Sequence, residues 1–83
     1  MNYYVYAIYN RQHGKIYIGQ TVDLEKRLSE HNNKVYKGFT SRFNGEWIII
    51  HQEIYESREK ALIREKQLKS FRGREYVRKQ IRE

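Results

Sequence analysis

YVYAIYNRQHGKIYIGQ, residues 4–20, is the stretch that decides the fold. Its two ends are rich in aromatic and β-branched residues, which fit a pleated, half-buried surface. Between them Arg11-Gln12-His13-Gly14 carries no apolar side chain and ends on a glycine, as a chain reversal does. The pattern predicts a β-hairpin with strands at 3–10 and 15–20. If Asn10 pairs with Lys15, then Tyr6 lies opposite Gly19 and Ile8 opposite Tyr17, so that Tyr4, Tyr6, Ile8, Tyr17 and Gly19 share one face. Tyr6 and Tyr17 become diagonal neighbours, and Gly19 leaves a shallow gap across from Tyr6 where a substrate backbone could approach.

Working outward, Thr21 is placed to cap a helix with Asp23 in its first turn, running to about His31 before Asn32-Asn33 breaks it. Residues 32–45 hold Lys34, Lys37, Arg42 and two glycines without a period, and read as a mobile basic loop. A third strand follows at 46–54. Its run Trp47-Ile48-Ile49-Ile50 is apolar on both faces, which predicts a strand between layers at the centre of the sheet. Ser57 with Glu59 opens a second helix to about Phe71, and Gly73 is read as its end. On that helix Ala61, Leu62, Glu65, Leu68 and Lys69 fall within about 120° of arc, which turns Glu65 toward the apolar side, where a carboxylate needs a partner. Residues 74–83, with Tyr76, Val77 and Ile81, read as a last short helix. The whole is one domain, 1–83, of the α/β class in its α+β form: a three-stranded antiparallel sheet flanked by helices.

Charge narrows the partners. Net charge is +7, and it is one-sided: residues 1–56 hold seven Lys or Arg against six acids, residues 57–83 ten against four. A basic surface of this kind on a small domain commonly meets a polyanion, nucleic acid above all, with solubility alone as the alternative. The sequence has no cysteine, so it offers neither disulfide nor thiolate, as suits a reducing cytoplasm. His13, His31 and His51 share no zinc-finger spacing. The longest apolar runs, at 3–9 and 47–50, fall far short of the roughly 20 residues that span a bilayer, and no signal peptide opens the chain. A soluble cytoplasmic protein without a membrane partner is expected.

Arg27 and His31 lie four apart, on one helix face near Leu24. A guanidinium there can pair with a phosphate, and an imidazole can orient or deprotonate a neighbour. Their structural alternative is an edge position satisfied by backbone carbonyls; for the two tyrosines it is simple packing on the sheet.

Tyr6 within YVYAI, Tyr17 within KIYIG, Arg27, His31 and Glu65 within ALIREKQLK together resemble the GIY-YIG nucleases, over nearly the whole chain from Tyr4 to about Phe71. The resemblance implies the sheet-and-helix fold already read, with the active site on the face bearing the two tyrosines. It implies a divalent metal, Mg²⁺ or Mn²⁺, one per site, on Glu65; a single carboxylate suffices for an ion that keeps most of its waters. Arg27 would stabilise charge on the attacked phosphate. Tyr6 would be the general base, Tyr17 would orient the water or the metal shell, and His31 would assist, since a free phenol titrates near 10. Tyr4 stands where the first family motif opens with glycine, adding bulk near the site, and Val5 replaces its isoleucine. The asparagine that some members carry after the glutamate has no counterpart, because no Asn follows Asn44.

The implied activity is a metal-dependent endonuclease that hydrolyses DNA phosphodiesters with low sequence specificity, on structured or damaged substrates, as in DNA repair. Gly19, Lys34, Lys37, Arg42, Arg64, Arg72 and Arg74 are the expected nucleic-acid contacts. Two other readings stand beside it: a catalytically weak nucleic-acid-binding module with the same fold, and a protein-binding domain that exposes its tyrosines. A monomer would nick and a dimer could cut both strands; the sequence is compatible with either.

Overall fold

A computed structural model describes residues 1–35 and 37–81. The strands β1 (Tyr3–Asn10) and β2 (Lys15–Thr21) lead into α1 (Leu24–Asn32). A single 3-10 turn (Phe39–Arg42), β3 (Trp47–Tyr55), α2 (Arg58–Leu68) and α3 (Phe71–Arg78) complete the chain. The expected register holds: Asn10 pairs with Lys15, Ile8 with Tyr17 and Tyr6 with Gly19. Gly14 closes the hairpin at φ 64°, a left-handed conformation that glycine adopts without steric cost, and its N–H reaches the Asn10 carbonyl at 2.8 Å.

The sheet is antiparallel with order β2-β1-β3, so β1 and not β3 is central. β1 is buried from Val5 through Asn10. β3 is apolar on both faces for another reason: it is an edge strand covered on both sides. Ile48 and Ile50 pack into one core cluster with Val5, Ala7, Ile18, Ala61, Leu68 and Val77. Trp47 and Ile49 pack into the other, with Tyr6, Ile8, Leu24 and Leu28. The pairing shifts between Ala7 and Ile8, which face His51 and Ile49 respectively, so Ile50 is an extra, bulged residue. The sheet therefore divides two layers, α2 and α3 on one face and α1 with the 3-10 turn on the other.

Three helix starts are capped by side chains. Asp23, Ser57 and Ser70 accept from the backbone N–H of Lys26, Lys60 and Gly73, each worth about 1 kcal/mol. The first cap is Asp23 and not the expected Thr21, whose hydroxyl, two residues earlier, accepts from the Asp23 N–H. The helix expected to continue to Phe71 stops at Leu68, because Ser70 starts a new one. Gly73 lies inside α3. A Cβ there would overlap the Gln67 carbonyl oxygen and Leu68 Cα, so the glycine permits a backbone-to-backbone approach of α3 to the end of α2. Val77 is buried and Ile81 packs on the same core, whereas Tyr76 is exposed. Residues 82 and 83 of the expected last helix, and position 36 of the expected loop, lie outside the described residues. Within that loop Phe39–Arg42 forms a turn and Thr40 is fully buried, while Val35, Lys37, Asn44 and Gly45 are exposed.

Candidate active site

His31 sits in the last turn of α1, and packing of that helix on the tyrosine-bearing face carries it into the core at 0% exposure. Its Nε2 stands 3.0 Å from the Tyr6 hydroxyl and its Nδ1 2.7 Å from Thr40 Oγ1. A neutral imidazole offers one donor and one acceptor, so one of the two hydroxyls donates to the ring and the other accepts from it. Burial, reinforced by the Arg27 guanidinium and opposed by Glu30, holds the imidazole down to about 4. At neutral pH His31 is an uncharged link between Tyr6 and Thr40. Thr40 carried no sequence signal, because its part depends on the turn that places it.

The tyrosine pair is where the hairpin register puts it, ring centroids 6.3 Å apart. Their surroundings differ. Tyr6 is 1% exposed, while Tyr17 is only half-buried and lines a cleft of about 320 Å³ at the outer edge of β2. Ile16, Ile18, Phe39, Lys69 and Arg74 complete that lining, and the Phe39 ring lies nearly parallel to Tyr17 at 19°. The cleft thus wraps the free edge of the sheet and joins the two layers. Tyr17 and Phe39 come from the α1 side, Lys69 and Arg74 from the α2–α3 side. Since Tyr6 is buried and Tyr17 lines the cleft, Tyr17 is the phenol that a ligand there meets first.

Glu65 answers the need for a partner through Lys69, whose Nζ donates to Glu65 Oε2 at 2.8 Å. The carboxylate side chain is 17% exposed and the lysine 45%. The motif glutamate is therefore tied to a residue that lines the same cleft as the motif tyrosine. Leu62, expected on the same buried stripe, is exposed. Arg27 pairs with Glu30 at 3.2 Å and lines a separate cleft of about 420 Å³ with Thr21, Asp23 and Lys26. Tyr4 does not crowd the Tyr17 cleft: it borders another, with Val22, Asp23, Leu24, Glu25 and Gln52.

Several expected nucleic-acid contacts are otherwise engaged. The gap at Gly19 is filled by Tyr6 itself, since a Cβ there would lie 2.8 Å from the Tyr6 hydroxyl oxygen; the glycine makes room for the tyrosine and not for a substrate. Lys34 Nζ donates to the Phe43 carbonyl at 2.8 Å. Arg64 donates to both Glu53 oxygens, Nε to Oε1 at 2.9 Å and Nη2 to Oε2 at 3.1 Å. Glu53 also accepts from Tyr55 and contacts His51 Nε2 at 2.7 Å. Burial alone would raise the Glu53 carboxyl, but the bonds from Arg64, Tyr55 and His51 outweigh it and hold it down to about 2. That cluster is structural, and it carried no signal before β3 and α2 were placed together. Arg72 borders a groove between α2 and α3, and Lys37 and Arg42 are exposed beside the 3-10 turn. Arg74 lies in the Tyr17 cleft. Ile16, Ile18, Phe39 and Lys69 are the cleft residues that sequence reading did not assign to the site.

The profile of the GIY-YIG catalytic domain matches residues 2–78. UPF0213 protein SSP2268 of Staphylococcus saprophyticus subsp. saprophyticus is 32% identical over 69 residues, covering 83% of this chain and 82% of the relative. Among solved structures, the solution NMR structure of UPF0213 protein BH0048 from Bacillus halodurans is similar with a TM-score of 0.55 and 28% identity, covering 93% of this chain and 82% of that one.

Proposed function

Since the chain belongs to the GIY-YIG family, a family of nucleases, we propose that it is a metal-dependent endonuclease. Its substrate would be DNA, cut with low sequence specificity, at structured or damaged sites in the cytoplasm. One observation carries the reading: Tyr17 and the Lys69 that holds Glu65 line one cleft. Arg74, in the same cleft, supplies a second cation for a phosphate. Phosphate-dominated contacts of this kind carry little sequence information.

The donor set fits Mg²⁺ or Mn²⁺. Among the described residues no three His, Cys, Asp or Glu side chains stand together, which disfavours an ion that needs a full protein cage. An ion bound by one carboxylate, its own waters and phosphate oxygens needs no such cluster. Glu65 would hold it once Lys69 lets go. Bound there, the ion would neutralise charge on the phosphate and leaving oxygen.

In this reading Lys69 and Arg74 grip the phosphate, and Tyr17, in the fraction that has already lost its proton to solvent, meets the attacking water as a phenolate and accepts its proton. Tyr6 and His31 support Tyr17 from behind. His31 is a poor proton store for a tyrosine, because burial holds its imidazole down to about 4, far below the value of a free phenol. Its contribution is to fix the Tyr6 hydroxyl, and Arg27 lends positive charge close to that pair.

The test uses fluorescently end-labelled oligonucleotides (single strand, duplex, nicked duplex and branched junction) incubated with Mg²⁺, Mn²⁺ or EDTA. Internal cuts that need divalent metal and favour a branched or nicked substrate support the proposal. DNA retained intact with metal present would instead favour the binding module.

A further inference from the structure

Lys69 is the C-cap of α2, and its backbone is held twice: its N–H bonds to the Glu65 carbonyl at 3.1 Å, and its carbonyl accepts from Arg74 Nε at 3.1 Å. Among the described residues its side chain is held once, by the Glu65 carboxylate at 2.8 Å. The backbone is thus fixed while an ammonium half open to water can choose its partner. Two partners lie within its reach, the Glu65 carboxylate and whatever anion enters the Tyr17 cleft that Lys69 lines.

We propose that Lys69 is a positioning residue that masks Glu65 in the resting protein and transfers its ammonium to a phosphate in the Tyr17 cleft when a divalent cation takes the carboxylate. The inference rests on the reading of Glu65 as the metal-holding residue. Ammonium and cation compete for the same oxygen, and an exposed i,i+4 pair is worth only about a factor of two in an equilibrium. Repulsion between the lysine and a divalent ion a few ångströms away adds to that factor. The released ammonium finds a new partner only if a phosphate is present. Metal and nucleic acid therefore favour each other's binding, equally in both directions. The cleft would bind a cation poorly without substrate, and a phosphate less firmly without cation.

The experiment titrates the full chain with Mn²⁺ alone, following free Mn²⁺ by electron paramagnetic resonance, for the wild type, Lys69→Met, Lys69→Arg and Glu65→Gln. Thermal unfolding checks that each is folded. Methionine keeps the length and helix preference of lysine without its charge. Lys69→Met is expected to bind Mn²⁺ about three- to tenfold more tightly than wild type, and Lys69→Arg to stay within about twofold of it. Glu65→Gln is expected to lose the site.

Anisotropy of a labelled DNA duplex in EDTA supplies the second arm. Glu65→Gln should tighten DNA binding by freeing Lys69, and this gain should vanish in the Lys69→Met background, a double-mutant cycle that separates release of the lysine from simple loss of a negative charge. If Glu65→Gln loses Mn²⁺ but Lys69→Met binds it no better than wild type, the masking role is overturned while Glu65 keeps its place. An undiminished gain in the Lys69→Met background also overturns it. If Glu65→Gln binds Mn²⁺ as the wild type does, the reading of Glu65 fails and the inference falls with it.

Discussion

Acid should destabilise this protein through His31 before any carboxylate is involved. The imidazole is buried at 0% exposure between Tyr6 and Thr40 and titrates at about 4 in the fold, against 6.5 for the free group. A depressed folded-state value means that between these two pH values the unfolded chain binds the proton and the native state does not. Stability is then fully present above about 6.5 and is lost as pH falls toward 4. From pH 7 to pH 4.5 the linkage is about 2 kcal/mol, a large part of what a domain of this size has to spare. Glu53, held down to about 2 from 4.5, contributes stability that is lost only below about 4.5, so the upper window isolates His31 from it. The assay is urea denaturation followed by circular dichroism at several pH values from 7 to 4.5, for the wild type and His31→Gln. Glutamine can still bond a hydroxyl on either side but takes no proton. The wild type should lose about 2 kcal/mol across the window and the variant about 0.5 kcal/mol or less. Equal slopes in the two proteins would refute a buried neutral His31.

Gly73→Ala should destabilise by roughly 3 kcal/mol or more in thermal or urea unfolding, because a Cβ would collide with the Gln67 carbonyl and Leu68 Cα; overpacking outweighs the gain of about 1 kcal/mol that alanine brings to a helix. An unchanged midpoint would show that α2 and α3 are less closely applied than described. Glu53→Gln should cost about 2 to 3 kcal/mol, since Arg64, Tyr55 and His51 all converge on that carboxylate. A loss under about 0.5 kcal/mol would place the cluster among weak surface pairs. Tyr17→Phe should lower nicking by about a hundredfold or more with DNA binding retained, and Tyr6→Phe by less, as expected of a phenol that contacts the water against one that supports it. The reverse order would return the base to Tyr6.

Local pattern was legible in the sequence, and so was the hairpin. The register of 4–20 follows from turn length and strand chemistry, and it placed Tyr6 opposite Gly19 as found. What failed was set by packing between distant elements. The run at Trp47–Ile50 reports coverage by two layers, which an edge strand between α1 and α2 shares with a central one. Gly73 suggested a helix end because glycine favours one, yet here it serves close contact between helices. Arg64 reads in sequence as a nucleic-acid contact, whereas β3 brings Glu53 to it. At the site, the motif residues were readable one by one, but their division was not. Burial of Tyr6 behind Tyr17, the link from His31 to Thr40 and the hold of Lys69 on Glu65 all depend on which helix covers which face.

Conversion of supercoiled plasmid to nicked or linear forms, with Mg²⁺ or Mn²⁺ beside EDTA, tests the central claim most directly when wild type and Glu65→Ala are purified identically. The account predicts nicking that requires divalent metal and disappears in Glu65→Ala, with both proteins equally folded. Nicking that persists in EDTA, or that Glu65→Ala retains, would contradict it.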